Sequence, residues 1–412
     1  MKEGAIVNQK IFGSTIAALR KKRGMTQSAL ARELNVSDKA VSKWENGFGY
    51  PEITLLPKIA AVFGVTVDYL FTSERRGIAV AGNMLMDIVN NIHAYPRSGT
   101  TTDITSVSHS VGGCVTNICI DLAKIDRSLP LTAIGRIGDD EYGRAIISQL
   151  QRYHVDTGRI ALSTTAPTSI STIMNPPTGK RTIFHIRGAN AEFVPSDVEL
   201  SSLHCAILHA GYIFLLDQFD REDPEYGTVM ARFLHDVQKM GIKTSIDVFS
   251  DIPVDLPEKI LPALKYCNYV IIDEDECCGI WGLNAHYEDG RLNVAAIRTA
   301  MEKTMAEGVL EKVIIHSKEA MFCLNCDGTF TALGAVDVPR ADIKGSTGVG
   351  DAFCAGALYG IYHKMSDEDI LAFASGAAAF NIQAENGVDG MRSKNNILHL
   401  MQTCQRKPTP KE

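Results

Sequence analysis

"KGSTGVGDAFCAGAL", Lys344 to Leu358, is the stretch on which the fold turns. Gly345, Gly348 and Gly350 crowd together, Asp351 follows at once, and small apolar residues come after it. The apolar run reads as a buried helix. The glycines put its first turn where backbone N–H groups stand open to an anion. Two readings fit the stretch alone. It is a phosphate cradle beside a catalytic carboxylate, or it is a turn before a core helix whose Asp351 only favours the helix dipole.

The flanking chain narrows the choice. "GIAVAGNMLMDIV", "LHCAILHAGYIFLL", "IKTSIDVFS", "YVIIDEDE" and "KVIIHS" are short apolar runs with polar ends. The first reads as one strand ending near Asp87. Helical periods lie between several of them, in "TVMARFLHDVQKMG", "PEKILPALKYC" and "VAAIRTAMEKTMAEG". Buried strands alternating with helices predict a parallel sheet covered on both faces. Ligands of such sheets bind at the carboxyl ends of strands, where Asp87, Asp247, Asp273 and Glu276 are expected. Residues 88–110 and 166–190 break the rhythm and read as extended pieces of a small lid. "GGCVTNICIDLAKI" opens a helix on Gly112 and Gly113 with Asn117 inside it. Read alone, that is an ordinary helix start. Its Asn117 nonetheless offers a donor and an acceptor to vicinal hydroxyls.

Residues 1–76 carry a balance of +5, whereas the 412-residue chain is at −7, so the remainder carries −12. A basic head on an acidic body points to a polyanion met by the head alone. Within it, Thr26 and Ser37 read as N-caps of two short helices joined by Asn35-Val36. A further helix follows Pro51. This is a helix-turn-helix pattern. The length predicts two or three units. The boundaries read as a head over 1–72, a short joint at 73–77, a body over 78–404 and a tail at 405–412. No apolar run reaches the roughly 18 residues of a membrane span, and the N-terminus has no apolar signal region, so the cytoplasm is expected and no membrane. The ten cysteines sit mostly in apolar patterns and fit reduced core thiols. Cys323 and Cys326 make a lone C-x-x-C without the second pair a zinc site needs.

Two resemblances follow from these motifs. "MTQSALARELNVSDKAVSKWENG" with the trailing "GVTVDYLF" resembles the Xre/Cro/C1-type helix-turn-helix family. That implies binding to double-stranded DNA by a homodimer. By the same resemblance the helix after Ser37 would enter the major groove with Asp38, Lys39, Ser42 and Lys43, and Gln27 would lie near phosphate. Residues 77–400 resemble the ribokinase-like PfkB carbohydrate kinases, through Gly82/Asp87, "GGCVTN", "IGRIGDDEYG", "GAN" at Gly188–Asn190, "DEDE" and "GSTGVGDAFCAGAL". The implied fold is α/β, a doubly wound, mostly parallel sheet with a small β lid. The implied reaction is phosphoryl transfer from ATP to a sugar hydroxyl, with Mg²⁺ and a monovalent cation. Asp351 would be the base and Thr347, Gly348, Val349 and Gly350 the anion cradle. Asp87, Gly112, Gly113, Asn117 and Asn190 would hold the sugar. Glu276 and Asp273 would orient the metal. Ser317, Lys318, Gly348 and Gly350 would meet the nucleotide.

The match has gaps. Gly345-Ser346 stands where the family has Asp-Thr, which removes a carboxylate. Asp273 replaces the amide of Asn-x-x-Glu. "IIHSKEA" replaces a Thr-x-Gly-x-x-Gly loop and has lost both glycines, and Asp-x-Asn-x-Arg is reduced to Asp247. The losses lie on the nucleotide side. Two functions therefore compete: a working sugar kinase on a DNA-binding head, and a kinase fold kept only as the sugar sensor of a regulator. A nucleoside or sugar-acid kinase is a third, with Arg181 or Arg187 meeting a carboxylate.

Overall fold

The computed structural model describes residues 2–72, 75–177, 181–248 and 256–411. Part of the expected joint (73 and 74) and the residues after Val248 lie outside these. The chain divides into two compact units, residues 1–76 with 199–206, and 77–198 with 207–412.

The first unit is all helical: Lys2–Lys22, Gln27–Leu34, Asp38–Glu45, Leu56–Phe63 and Val67–Thr72. The first helix runs 21 residues. Gly24, in the left-handed region at φ +64°, lies just beyond its end. Both N-caps form as the sequence suggests: Ala29 N donates to Thr26 Oγ1 (3.1 Å) and Ala40 N to Ser37 Oγ (3.3 Å). Asn35 makes the tight turn with φ 59°. Phe12, Ile16, Leu30, Leu34, Val41, Trp44, Ile59 and Phe63 fill the core. Burying each of these large apolar side chains is worth about 1.5–3 kcal/mol. Arg20 makes a two-pronged bond to Glu45, at 2.6 and 2.8 Å, and ties the first helix to the third.

The second unit is built on a nine-stranded sheet. Its spatial order is Phe330–Gly334, Ala320–Asn325, Lys312–His316, Tyr269–Asp273, Lys243–Val248, Ile207–Ile213, Ile78–Gly82, Leu131–Gly138 and Asp156–Ser163. The seven strands from Lys312–His316 onward are parallel, and the other two pair antiparallel. Ile78–Gly82 is buried at every position, as the unbroken apolar run requires of a strand covered on both faces. The chain leaves this strand toward Leu131–Gly138 on one side and later returns beside it with Ile207–Ile213. The strand order reverses there, and a crevice opens at the carboxyl ends.

One expectation is corrected. "GIAVAGNMLMDIV" is two strands: Ile78–Gly82 joins the core sheet, and Leu85–Ile92 joins a separate lid. Gly82 has φ +148°, and a Cβ there would sit 1.4 Å from Gly211 O, so the two backbones meet only through glycine. Asp87 therefore rides on the lid rather than at the end of a core strand. The lid has four strands in the order Ile104–Gly112, Leu85–Ile92, Ser169–Asn175, Thr182–Ile186. Among the described residues, no helix is long and apolar enough to cross a membrane.

Candidate active site

Asp351, in the first turn of the helix Val349–Tyr362, lines the cleft beside Tyr212. The carboxylate is 3% exposed. Tyr212 OH donates to its Oδ1 (2.5 Å) and Asn117 Nδ2 to its Oδ2 (2.8 Å). Burial pushes the Asp351 carboxyl up, and these two hydrogen bonds offset part of the rise. The result is a fixed carboxylate more basic than an ordinary one.

The loop before it depends on glycine for its shape. Gly348 has φ +68°, and a Cβ there would lie 2.6 Å from Gly387 Cα, so glycine is required. Asn381 Nδ2 donates to Gly348 O (2.8 Å) and Gly387 O (2.7 Å), which pins the loop to the turn beyond. The amides of Thr347 to Gly350 lie ahead of the Ala352 N to Gly348 O bond (2.9 Å) that opens the helical ladder. Of these residues Gly348, Val349 and Gly350 line a cleft of about 180 Å³ with Tyr212, Asp247, Glu276, His316 and Ser346.

Asp247 lies well above the usual carboxylate range, first through burial and then through Glu276 and Asp351. Like charges facing one cleft are the condition a divalent cation relieves, so Asp247 and Glu276 fit magnesium on their donor chemistry. Asp273 and Glu276 cap one helix reciprocally: Glu276 N donates to Asp273 Oδ1 (2.7 Å) and Asp273 N to Glu276 Oε2 (2.9 Å). Asp273 is thus the helix cap, while Glu276 reaches the cleft.

A Cβ on Gly112 would stand 2.2 Å from Asp87 Oδ2, so Gly112 makes room for that carboxylate. Burial, then Asp351, push Asp87 up to about 7, with Arg181 opposing. Gly113 has φ +88° and would meet Asn83 O at 2.5 Å through a Cβ. Asn190, expected to hold a sugar, has both ends of its side-chain amide bonded within the protein. It is wholly buried and clamps Met84, with Nδ2 on Met84 O (3.1 Å) and Oδ1 accepting from Met84 N (3.3 Å). It fixes the step from core to lid.

Ser317 and Lys318, expected to meet a nucleotide, lie on the turn after the strand Lys312–His316. Ser317 Oγ donates to Ala320 O (2.8 Å) and accepts from Ala320 N (3.0 Å), so it braces a hairpin turn. Lys318 is exposed on that turn, where its carbonyl accepts from Lys407 Nζ (2.9 Å). His316 enters the cleft instead, against Phe353 at 4.8 Å between centroids. Burial drops its pKa to about 4, so the ring is neutral at pH 7. Tyr212 and His316 were missed as site residues. Tyr212 is next to last in the strand Ile207–Ile213, at the reversal of strand order, a signal legible only once that order is known.

In the head, Val41 and Trp44 face inward, and Lys39 and Lys43 are exposed on the same helix. Ser42 is half-buried. Asp38 accepts from Ser28 Oγ (2.6 Å), and Gln27 Nε2 donates to Glu45 Oε2 (2.8 Å). Gln27 thus joins the Arg20–Glu45 pair. Cys323 is buried on its strand and Cys326 exposed beyond it.

Residues 75–394 match the pfkB family carbohydrate kinases, and residues 16–70 match a helix-turn-helix family. A ribokinase of Arabidopsis thaliana is 24% identical over 79% of this chain and 80% of its own length. The activator BcrR of Enterococcus faecalis is 43% identical over 63 residues, 15% of this chain and 31% of its own. The structure of Arabidopsis thaliana ribokinase complexed with ribose and ATP superposes with a TM-score of 0.66 at 21% identity, covering 80% of this chain and 99% of that one. The ribokinase of Cryptococcus neoformans in complex with ADP gives 0.63 at 18% identity, covering 79% and 99%. With an Asp351 helix of this geometry and a family match across most of its length, the chain belongs to the pfkB family of carbohydrate kinases and carries a helix-turn-helix domain at its head.

Proposed function

We propose that the chain is an ATP-dependent sugar kinase joined to a sequence-specific DNA-binding head, acting in the cytoplasm as a sugar-responsive transcription regulator. Asp351 carries the enzymatic half: a buried carboxylate held by Tyr212 and Asn117, beside amides that line the same cleft. ATP supplies the phosphoryl group; Asp247 and Glu276 would hold Mg²⁺, which when bound would supply charge neutralisation. Asp351 takes the proton of the sugar hydroxyl as that oxygen bonds to the γ-phosphorus. The bond from phosphorus to the bridging oxygen breaks and ADP leaves. The N–H groups of Thr347 to Gly350 donate to the phosphoryl oxygens as charge moves. Asp87 accepts from sugar hydroxyls beside Gly112.

The head binds DNA through the helix Asp38–Glu45, with Lys39, Ser42 and Lys43 directed at the groove. Exposed Ile183, Phe184 and Ile186 on one lid edge, and Ile104 and Val107 on the other, support a homodimer. A sensor without turnover is the second reading. It is favoured by Ser317 being tied into its turn and by His316 occupying the cleft.

ATP turnover on a sugar panel led by ribose and fructose, with Asp351→Asn as control, tests the reading. Turnover lost in the variant supports the kinase. Sugar-dependent thermal stabilisation with no turnover supports the sensor. A gel shift by the full chain tests the head, and absence of any DNA binding overturns the regulator.

A further inference from the structure

Arg181 stands at the start of the lid's edge strand Thr182–Ile186, yet its guanidinium reaches the cradle. Nη2 donates to Ser346 Oγ at 2.8 Å, and Nη1 donates to Thr347 Oγ1. Ser346 lines the cleft. The same guanidinium lies close enough to Asp87 to favour its ionised form. It therefore bonds to the loop ahead of Asp351 while its charge also acts on Asp87.

The charges around that loop need a cation. Asp87, Asp247, Glu276 and Asp351 all bear on the site, and burial with mutual repulsion raises the first two. A triphosphate adds further negative charge, and one dication offsets only part of it. Among the described residues, Arg181 is the cationic side chain bonded to the cradle loop. A guanidinium has five N–H donors in a planar fork, and the hydroxyls of Ser346 and Thr347 engage two of its nitrogens. At Gly345-Ser346 the loop also lacks the acid that its family carries there, so nothing on the loop itself competes for the guanidinium.

We propose that Arg181 is a catalytic residue that binds the transferring phosphoryl group from the lid side, so that lid closure over the sugar and phosphoryl binding are mutually dependent. Ser346 and Thr347 hold the guanidinium in position. The inference rests on the kinase reading above.

The test compares wild type, Arg181→Gln, Arg181→Lys and the double variant Ser346→Ala/Thr347→Ala, each checked for unchanged thermal midpoint. Arg181 is exposed, so its variants are expected to fold. On a sugar that wild type phosphorylates, Arg181→Gln should lower kcat by about 10²–10³ with the sugar KM within threefold, as for loss of one preorganised donor. Arg181→Lys should recover about tenfold of that, and the double variant should fall between. Unchanged kcat in Arg181→Gln overturns the proposal. So does a raised sugar KM at constant kcat, which would make Arg181 a sugar contact. If wild type turns over no sugar, the kinase reading fails and binding decides Arg181 separately. Tighter binding of a non-hydrolysable ATP analogue than of ADP, lost in Arg181→Gln, supports the contact. Equal affinities in wild type, or no nucleotide binding, overturn it.

Discussion

At the scale of the residue, a carboxylate becomes a useful base when burial raises its proton affinity and hydrogen bonds keep it aimed. Asp351 has both. Asp351→Asn should lower kcat by about 10²–10⁴, the range for a positioned general base, while sugar-dependent stabilisation persists. Tyr212→Phe deletes one of the two bonds that favour the ionised form, so Asp351 moves further up. The acid limb of the kcat profile should then shift to higher pH, read from rates between pH 5 and 9. Asp87 gives a stability signal of the opposite kind. Its folded pKa of about 7 lies above the unfolded value of about 4, so the folded chain holds a proton that the unfolded chain releases in that window. Stability from this group is greatest below pH 4 and falls as pH rises toward 7. Asp87→Asn removes the penalty, so its midpoint should exceed wild type by more at pH 8 than at pH 5 in calorimetry.

Single helices and turns are held by contacts that sequence periods do not announce. The Arg20–Glu45 pair joins two helices with both side chains nearly buried, at 11% and 6% exposure. Burial pushes the Glu45 carboxyl up, but the bonds from Arg20 and Gln27 outweigh it and leave it below the usual value. Arg20→Ala strands a buried charge and should cost about 3–5 kcal/mol in the head's unfolding, measured in urea. Lys39→Ala and Lys43→Ala should leave that unfolding unchanged and still weaken DNA binding. At the other element junction, Gly113→Ala meets both a left-handed φ and a contact at 2.5 Å. It should lower the thermal midpoint and raise the sugar KM together.

For the whole molecule, a sugar alters DNA affinity only by binding two arrangements of the chain unequally; a tenfold change needs about 1.4 kcal/mol of difference. Fluorescence anisotropy on a selected operator, with and without sugar, should show that shift in wild type. Asp87→Asn, weakened in sugar binding, should lose it. Replacing a lysine that meets phosphate should also reduce the slope of log affinity against log salt by about 1. Phe184→Glu with Ile186→Glu, at positions 59% and 52% exposed, should turn a dimer into a monomer by light scattering.

The sequence by itself determined the class of each unit. Apolar runs bounded by polar ends specify buried parallel strands, Thr26 and Ser37 specify caps, and Gly348, Gly350 and Asp351 lie close enough along the chain to specify a loop and the helix turn it opens. Such features are local, and local physics reads them. Only the tertiary structure decided which distant groups converge. It split the first strand at Gly82, because the backbone of Gly211 lies against it. It drew Asn190 to Met84 and Ser317 into its own turn. It also brought Tyr212, Asn117 and Arg181 to the Asp351 loop from more than a hundred residues away. Those contacts depend on strand order and on close approach of backbones, which no periodicity along one chain encodes.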